Sequence, residues 1–315
     1  VVRWGAVCAA TGLTVAALGA GPIGLVPLAA IGLFTYGIGV GIWDVAMNVE
    51  GAEVERGLGR SIMPRFHAAF SLGAIAGAVI GVPMAALSVP MVVHLGVLGA
   101  LAVVLCLRGT RAFLPAEEEK TSSGPARSAW LEPRTIAIGV MVLAFTVAEG
   151  AAGDWLSLAL IDGYDVAHWV GVTGYVAFVS AMTLGRIGGP VVLDRFGRAP
   201  VLWASAASAA AGILLVVLGG GVVLVACGVV LWGLGSALGF PVGMSAAADD
   251  PVRSAARVSV VSTIGYGAFL AGPPLLGWLG DHVGTLDSLL AVALLMIPAA
   301  LTVFAARPPT AVSQS

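Results

Sequence analysis

Gly189-Pro-Val-Val-Leu-Asp194-Arg195-Phe-Gly197-Arg198-Ala-Pro-Val-Leu202 sets three charges between two long apolar runs. The run before it covers about 167–190, and the run after it about 201–218. Each is near the ~20 residues a helix needs to cross ~30 Å of hydrocarbon. A tight turn at Gly197 would present Asp194 to a neighbouring helix end and leave Arg195 and Arg198 in water. The stretch therefore reads as two membrane helices joined by a charged turn.

Composition extends that reading to the whole chain. Of 315 residues, 59% are hydrophobic and only 10% are charged, against about 25% charged in an ordinary soluble domain. Such a chain has too little polar surface to dissolve, so an integral membrane protein is expected. Working outward from the turn, ten apolar runs emerge, at about 4–20, 23–48, 64–88, 90–107, 135–153, 167–190, 201–218, 221–245, 258–279 and 286–305. They are rich in Ala, Leu, Val and Gly and lack period-2 alternation, which favours helices over a barrel. The expected class is an all-α polytopic membrane protein.

Ten crossings alternate the connecting segments between two sides. Arg3, Arg56, Arg60, Arg65, Arg108, Arg111, Lys120, Arg127, Arg134, Arg186, Arg195, Arg198, Arg253, Arg257 and Arg307 then all fall on one side, accounting for all 15 Lys and Arg. The opposite segments carry Asp154, Asp162, Asp165, His168, Asp281, His282 and Asp287. The positive-inside rule makes the basic side cytoplasmic and places both termini there, in a multi-pass protein of the cell (inner) membrane. Trp4, Trp130 and Trp203 lie near inner boundaries, and Trp155, Trp169 and Trp278 near outer ones, as an aromatic belt would. The bilayer is the expected partner. No nucleic acid is expected, and the chain is expected to be a monomer.

Four helices (1–108) precede the longest polar segment, 109–133, which carries Glu117-Glu-Glu-Lys120 and Thr121-Ser-Ser-Gly-Pro125 and reads as a cytoplasmic linker. Six helices (134–306) and a cytoplasmic tail (307–315) follow. Trp4 and Gly19–Gly21 align with Trp203 and Gly219–Gly221 at an offset near 199, while Gly39 aligns with Gly235 and Gly81 with Gly277 at 196. On that repeat the first half has no counterpart of 134–199. The expectation is a twelve-helix plan lacking its first helical pair, with a native ten-helix protein as the alternative.

The Asp194–Arg198 turn resembles the cytoplasmic loop motif of the major facilitator superfamily, G-x-x-x-D-R-x-G-R-R. Asp194, Arg195, Gly197 and Arg198 match, while Pro190 stands where the first Gly is usual and Ala199 where a second basic residue is usual. The resemblance implies the major facilitator fold and a gating role for the four matching residues. A second stretch, Gly37-Ile-Gly-Val-Gly-Ile-Trp-Asp44-Val-Ala-Met-Asn48-Val-Glu50, followed by Phe66-His67-Ala-Ala-Phe70-Ser71-Leu-Gly73, resembles the fucose-permease-like branch. That likeness implies a proton-coupling acid at Asp44 with Asn48 beside it. The branch's partner acid would lie in the first helix of the plan.

From the residues themselves, Gly37, Gly41, Asp44 and Asn48 share one helix face, which suggests a cavity-facing stripe. Asp44 lies ~25–31 Å from an outer helix start, towards the cytoplasmic mouth. It reads either as a functional carboxylate or as a helix-end cap or partner of an arginine such as Arg65. Glu149 lies ~22 Å into its helix and reads either as a coupling or substrate-contacting acid or as an outer-gate ion pair; an acid in hydrocarbon is a functional candidate by default. His67 reads as an interfacial residue or a proton carrier. Gly73, Gly77 and Gly81 are packing positions. Cys8, Cys106 and Cys227 stand alone without metal-ligand spacing, so neither a metal nor a cofactor is expected.

Scattered His and Cys leave no clustered nucleophile, ligand set or paired acids for a membrane enzyme. The expected function is secondary active, proton-coupled transport of a small solute by alternating access. A non-transporting sensor on the same fold and a proton-driven efflux antiporter remain the alternatives.

Overall fold

The computed structural model describes residues 1–113 and 126–308. The charged run Glu117–Lys120, the Thr121–Pro125 stretch and the tail beyond residue 308 lie outside the described residues. Among the described residues ten helices are long and apolar enough to cross a membrane: α1 (Val2–Ala20), α2 (Val26–Leu58), α3 (Met63–Ala86), α4 (Met91–Ala112), α5 (Pro133–Tyr164), α6 (His168–Phe196), α7 (Arg198–Leu218), α8 (Val222–Ala247), α9 (Ser254–Val283) and α10 (Thr285–Ala306). The described residues contain no strand. The expected all-α polytopic class and the ten helices are therefore present.

Two helices run well past their apolar cores. α2 continues ten residues beyond Asn48, through a stretch that is charged but carries good helix formers. At 33 residues it is ~50 Å long, more than the hydrocarbon requires. α5 passes through one π-helical turn, Ala152–Leu156, and continues to Tyr164. Asp154 and Trp155, expected in an outer segment and an aromatic belt, are thus inside a helix.

The chain divides into two compact units, Val1–Val54 with Gly73–Thr121, and Glu55–Leu72 with Ser122–Ser315. In the first unit α1 and α2 pack backbone to backbone. A Cβ on Gly12 would come 2.3 Å from the Tyr36 N, one on Gly32 2.2 Å from the Ala16 N, and one on Gly39 2.3 Å from the Ala9 N. In the second unit α7 and α8 meet the same way: Gly212 lies against the Trp232 N and Gly228 O, and Gly235 against the Ala209 N. The contacts superpose at an offset of 200 for α1 onto α7 and 196 for α2 onto α8. The internal repeat is thus visible in the packing, and the offset near 199 is corrected by one residue. Glycine permits this close approach because association in lipid relies on packing rather than on expelling water.

The core of the second unit gathers Trp232, Phe145, Phe178, Met141 and Leu202, all buried. Trp232 anchors it, packing edge-on against Phe178 with ring centroids 5.5 Å apart and donating its indole N–H to the Ala148 carbonyl at 3.1 Å. Large apolar side chains such as Phe34, Val97, Leu184 and Leu270 point outward, as lipid-facing surfaces require.

Candidate functional site

The second unit holds an ion pair between a buried arginine and a part-buried acid in the middle of its helices. Glu149 lies ~24 Å along α5 from Pro133, and Arg186 ~15 Å from the end of α6. Both Glu149 carboxylate oxygens accept from Arg186 Nη2, at 2.9 and 2.8 Å. Arg186 Nη1 donates to Ser71 Oγ at 2.9 Å, and its Nε donates to the Ala237 carbonyl at 3.3 Å. Arg186 is 3% exposed. The pair lies at mid-helix, and of the two readings open for Glu149 an ion pair is the interaction it makes.

Local sequence explains how a guanidinium fits there. Gly185 and Gly189 flank Arg186; a Cβ on them would meet the Ala237 Cβ at 2.7 Å and the Leu238 Cδ2 at 2.4 Å. These glycines let α6 lie against the break in α8, where Val222–Ser236 ends and Gly239–Ala247 begins. The Ala237 carbonyl at that break is the acceptor that Arg186 uses. Pro190, the departure from the loop motif, also has no N–H to give the Arg186 carbonyl. The expectation that Arg186 sits in a basic connecting segment is overturned: it is buried inside α6, because Glu149 neutralises it. Hydropathy reading missed it, although it lay inside the predicted run 167–190.

His67 is half-buried near this pair. Its ring meets Phe240 edge-on at 5.3 Å between centroids, and Ser71 Oγ donates to its carbonyl at 3.2 Å. Asp44 and Asn48 belong to the first unit. Asn48 Nδ2 donates to the Asp44 carbonyl at 2.9 Å and to its Oδ2 at 3.0 Å, and Asn48 is buried. Asp44 stands ~27 Å from Val26 and ~21 Å from Leu58. It is mid-helix, so a helix-end cap is overturned; α2 simply does not stop at Asn48. A Cβ on Gly37 or Gly41 would meet nothing within 4 Å, which leaves their face of α2 open.

A polar network closes the basic end of the second unit. Gly197 adopts φ +79°, a conformation other residues adopt only with strain, and ends α6. Asp194 Oδ1 accepts the Ser61 N–H at 2.9 Å, two residues ahead of α3. Arg198 donates to Asp249 at 2.7 Å and to Ser245 Oγ at 2.7 Å. Ser245 in turn donates to Glu55 Oε1, while Glu55 Oε2 accepts the Ile62 and Met63 N–H groups at 2.8 and 2.7 Å. Arg134 reaches Asp249 at 2.5 Å. Arg195 lies over the Phe196 ring at 5.2 Å. Glu55, Ser245 and Asp249 were missed by sequence reasoning, since nothing in one sequence links residues 190 positions apart. Ahead of α5, Glu132 bonds Arg257 at 2.6 Å, Thr135 at 2.8 Å and Arg253 at 2.6 Å. Burial pushes its carboxyl up, but the Arg257 and Thr135 hydrogen bonds and the two arginine charges outweigh this and hold it below the usual carboxylate range. Among the described residues no group of three or more His, Cys, Asp or Glu could hold a metal ion.

Comparison with known proteins places this architecture. The chain is 35% identical over 274 residues to an uncharacterized transporter, y4wD, of Sinorhizobium fredii, covering 85% of this chain and 71% of the relative. It is 30% identical over 274 residues to an uncharacterized MFS-type transporter of Yersinia pestis, covering 86% and 70%. Among solved structures, FucP, a major facilitator superfamily transporter in the outward conformation, superposes with a TM-score of 0.78 at 16% identity over 96% of this chain and 81% of that one. That likeness concerns the fold. No family model matches the chain.

Proposed function

The chain belongs to the major facilitator superfamily, and we propose that it is a secondary active transporter that couples movement of a small solute to protons by alternating access. Its basic ends, with both termini, lie in the cytoplasm of a cell whose inner membrane it spans. The observation that carries this reading is the Glu149–Arg186 pair, an acid and a base held mid-helix where a charge is costly unless partnered. While the site is dry, the two charges satisfy each other. When the site opens to water the pair separates and the freed Glu149 carboxylate takes up a proton from the exposed side, which it gives up again when it re-forms the pair with Arg186. Arg186 retains Ser71 and the Ala237 carbonyl in both states, so it stays placed to recapture the carboxylate. Asp44, braced by Asn48 at mid-helix in the first unit, is the second proton carrier of this mechanism. His67 contributes the ring against Phe240, and the Asp194–Arg198 turn holds the cytoplasmic closure.

The test is flux in proteoliposomes carrying a trapped pH dye, challenged with hexoses and other small polar solutes. A coupled transporter moves protons inward only when its solute is added. Glu149→Gln is expected to abolish solute-driven proton movement while retaining solute exchange at equal concentrations. Solute flux without proton movement in the unaltered protein would sink the coupling. Asp44→Asn should likewise abolish pH-gradient-driven uptake with folding intact; unchanged concentrative uptake removes Asp44 from the role.

A further inference from the structure

Once Glu149 takes a proton, Arg186 loses its counter-charge. The guanidinium is 3% exposed, and Glu149 is its one ionic partner among the described residues. The helices packed around it supply no substitute. α3 and α8 contain no Asp or Glu at all. Asp194, the only acid of α6, lies near its basic end and holds the Ser61 N–H. α9 brings a single acid, Asp281, at its far end, and His67 of α3 adds no negative charge. Asp154 and Asp162, farther along α5, make no ion pair with Arg186.

The other partners of the guanidinium are neutral. Ser71 Oγ accepts from Nη1 and the Ala237 carbonyl from Nε, which fixes the group in place and leaves its charge uncancelled. Both Glu149 oxygens draw on Nη2, so the second Nη1 N–H has no acceptor among the described residues. What exposure there is lies on the acid: the Glu149 side chain is 24% exposed, against 3% for Arg186. A group that approaches the pair therefore meets the carboxylate first.

A coupled transporter crosses a dry state with its solute and proton aboard. With the proton on Glu149 the pair is broken, and a buried guanidinium without a counter-charge is strongly unfavourable. A neutral solute leaves that charge unanswered, and a cationic one adds to it. A carboxylate cancels it, through the charge-assisted hydrogen bonds that Glu149 gave up, and the spare Nη1 N–H allows a bidentate contact.

We propose that the solute is a small organic monoanion whose carboxylate replaces that of Glu149 on Arg186 each time Glu149 takes up a proton. The site is then neutral in both forms: Glu149 carboxylate with Arg186, or Glu149 acid with Arg186 and the solute anion. One proton and one anion cross together, so the cycle moves no net charge. As a substrate class this rests on the transporter reading above; as an anion receptor it does not.

Two measurements on the full chain test it. In the first, Glu149→Ala is purified in an uncharged detergent and unfolded thermally with acetate or acetamide at matched ionic strength. Loss of the acid is expected to lower Tm, acetate to restore part of the loss and acetamide none. Glu149→Ala combined with Arg186→Met is expected to gain nothing from either compound. Equal effects of the two compounds, no effect of acetate, or acetate protection that survives the loss of Arg186 would each overturn the receptor.

In the second, the unaltered protein is reconstituted with a trapped pH dye and given lactate and galacturonate, or their neutral counterparts lactamide and galactose. Above protein-free liposomes, the carboxylates are expected to move protons about tenfold faster or more than the neutral compounds, the scale of one charge-assisted contact. The rate is expected to be unchanged by a potassium–valinomycin membrane potential. Proton movement driven by galactose and not by the carboxylates keeps the transporter reading and overturns the anion class, as does a carboxylate rate that follows the potential. Acetate protection without proton movement by any of the four keeps Arg186 as an anion receptor and removes the transport reading. If Glu149→Ala does not fold, the second measurement decides alone, and no carboxylate-driven proton movement there overturns the inference.

Discussion

Arg186 is the residue on which the second unit turns. It is nearly fully buried and makes four hydrogen bonds, two of them to Glu149. Breaking a buried pair by removing one partner typically costs about 3–5 kcal/mol, whereas replacing both by apolar groups is often close to neutral. Glu149→Leu is therefore expected to lower the unfolding temperature in detergent clearly, and Glu149→Leu combined with Arg186→Met to regain most of it. A double variant as unstable as the sum of its parts would show that the pair is not energetically coupled. At the edge of α5, Glu132 has the opposite character, a half-exposed hub for Arg253 and Arg257. Its carboxyl is held below the ordinary value of 4.5, so its contribution is fully present above that pH and lost as pH falls through the lowered value. Glu132→Gln is expected to flatten the acid limb of a stability-against-pH curve below pH 4.5 and to reduce stability at pH 7. An unchanged acid limb would show that Glu132 does not shape it.

At the scale of the helix, glycines divide into two kinds that look alike in sequence. Gly12, Gly32, Gly212 and Gly228 stand where a Cβ would drive into a neighbouring backbone, so the helices would have to part. Gly212→Ala is expected to destabilise by about 1–3 kcal/mol, the usual result of overpacking. Gly37→Ala, on the open face of α2, has no such contact and is expected to be neutral or to stabilise by up to ~1 kcal/mol through helix propensity. Parallel unfolding curves for the two variants check both; equal losses would show that the α7–α8 contact is not specially tight. The open face was legible at Gly37 and Gly41 of the stripe, although Asn48 at its end is buried. The close-packed glycines were legible only as a repeat, because spacing does not say whether a missing side chain faces a partner or empty space. The extension of α2 to Leu58 and of α5 to Tyr164 escaped hydropathy for a related reason: a helix needs no apolar residues once it leaves the bilayer.

For the whole molecule, the segment Glu55–Leu72 belongs with the six later helices although it is continuous with α2 and α3. Glu55 secures it, accepting the Ile62 and Met63 amides and the Ser245 hydroxyl, with Asp194 taking the Ser61 amide. Glu55→Gln is expected to speed hydrogen exchange at Ile62 and Met63 while leaving α7 and α8 unchanged; unaltered exchange at those amides would show that the cap is not what orders the segment. By itself the sequence determined the membrane class, the ten crossings, the repeat and the charged turn at Asp194–Arg198. Each of these follows from a local balance of apolar length, glycine and charge that every window of the chain carries. Only the tertiary structure decided that Arg186 is buried against Glu149 rather than set in a basic segment. It alone also joined Glu55 to Ser245 and set Ser71 and the Ala237 carbonyl beside Arg186. Those facts depend on which distant helices touch, and the free energy of a charge is set by the neighbour it meets.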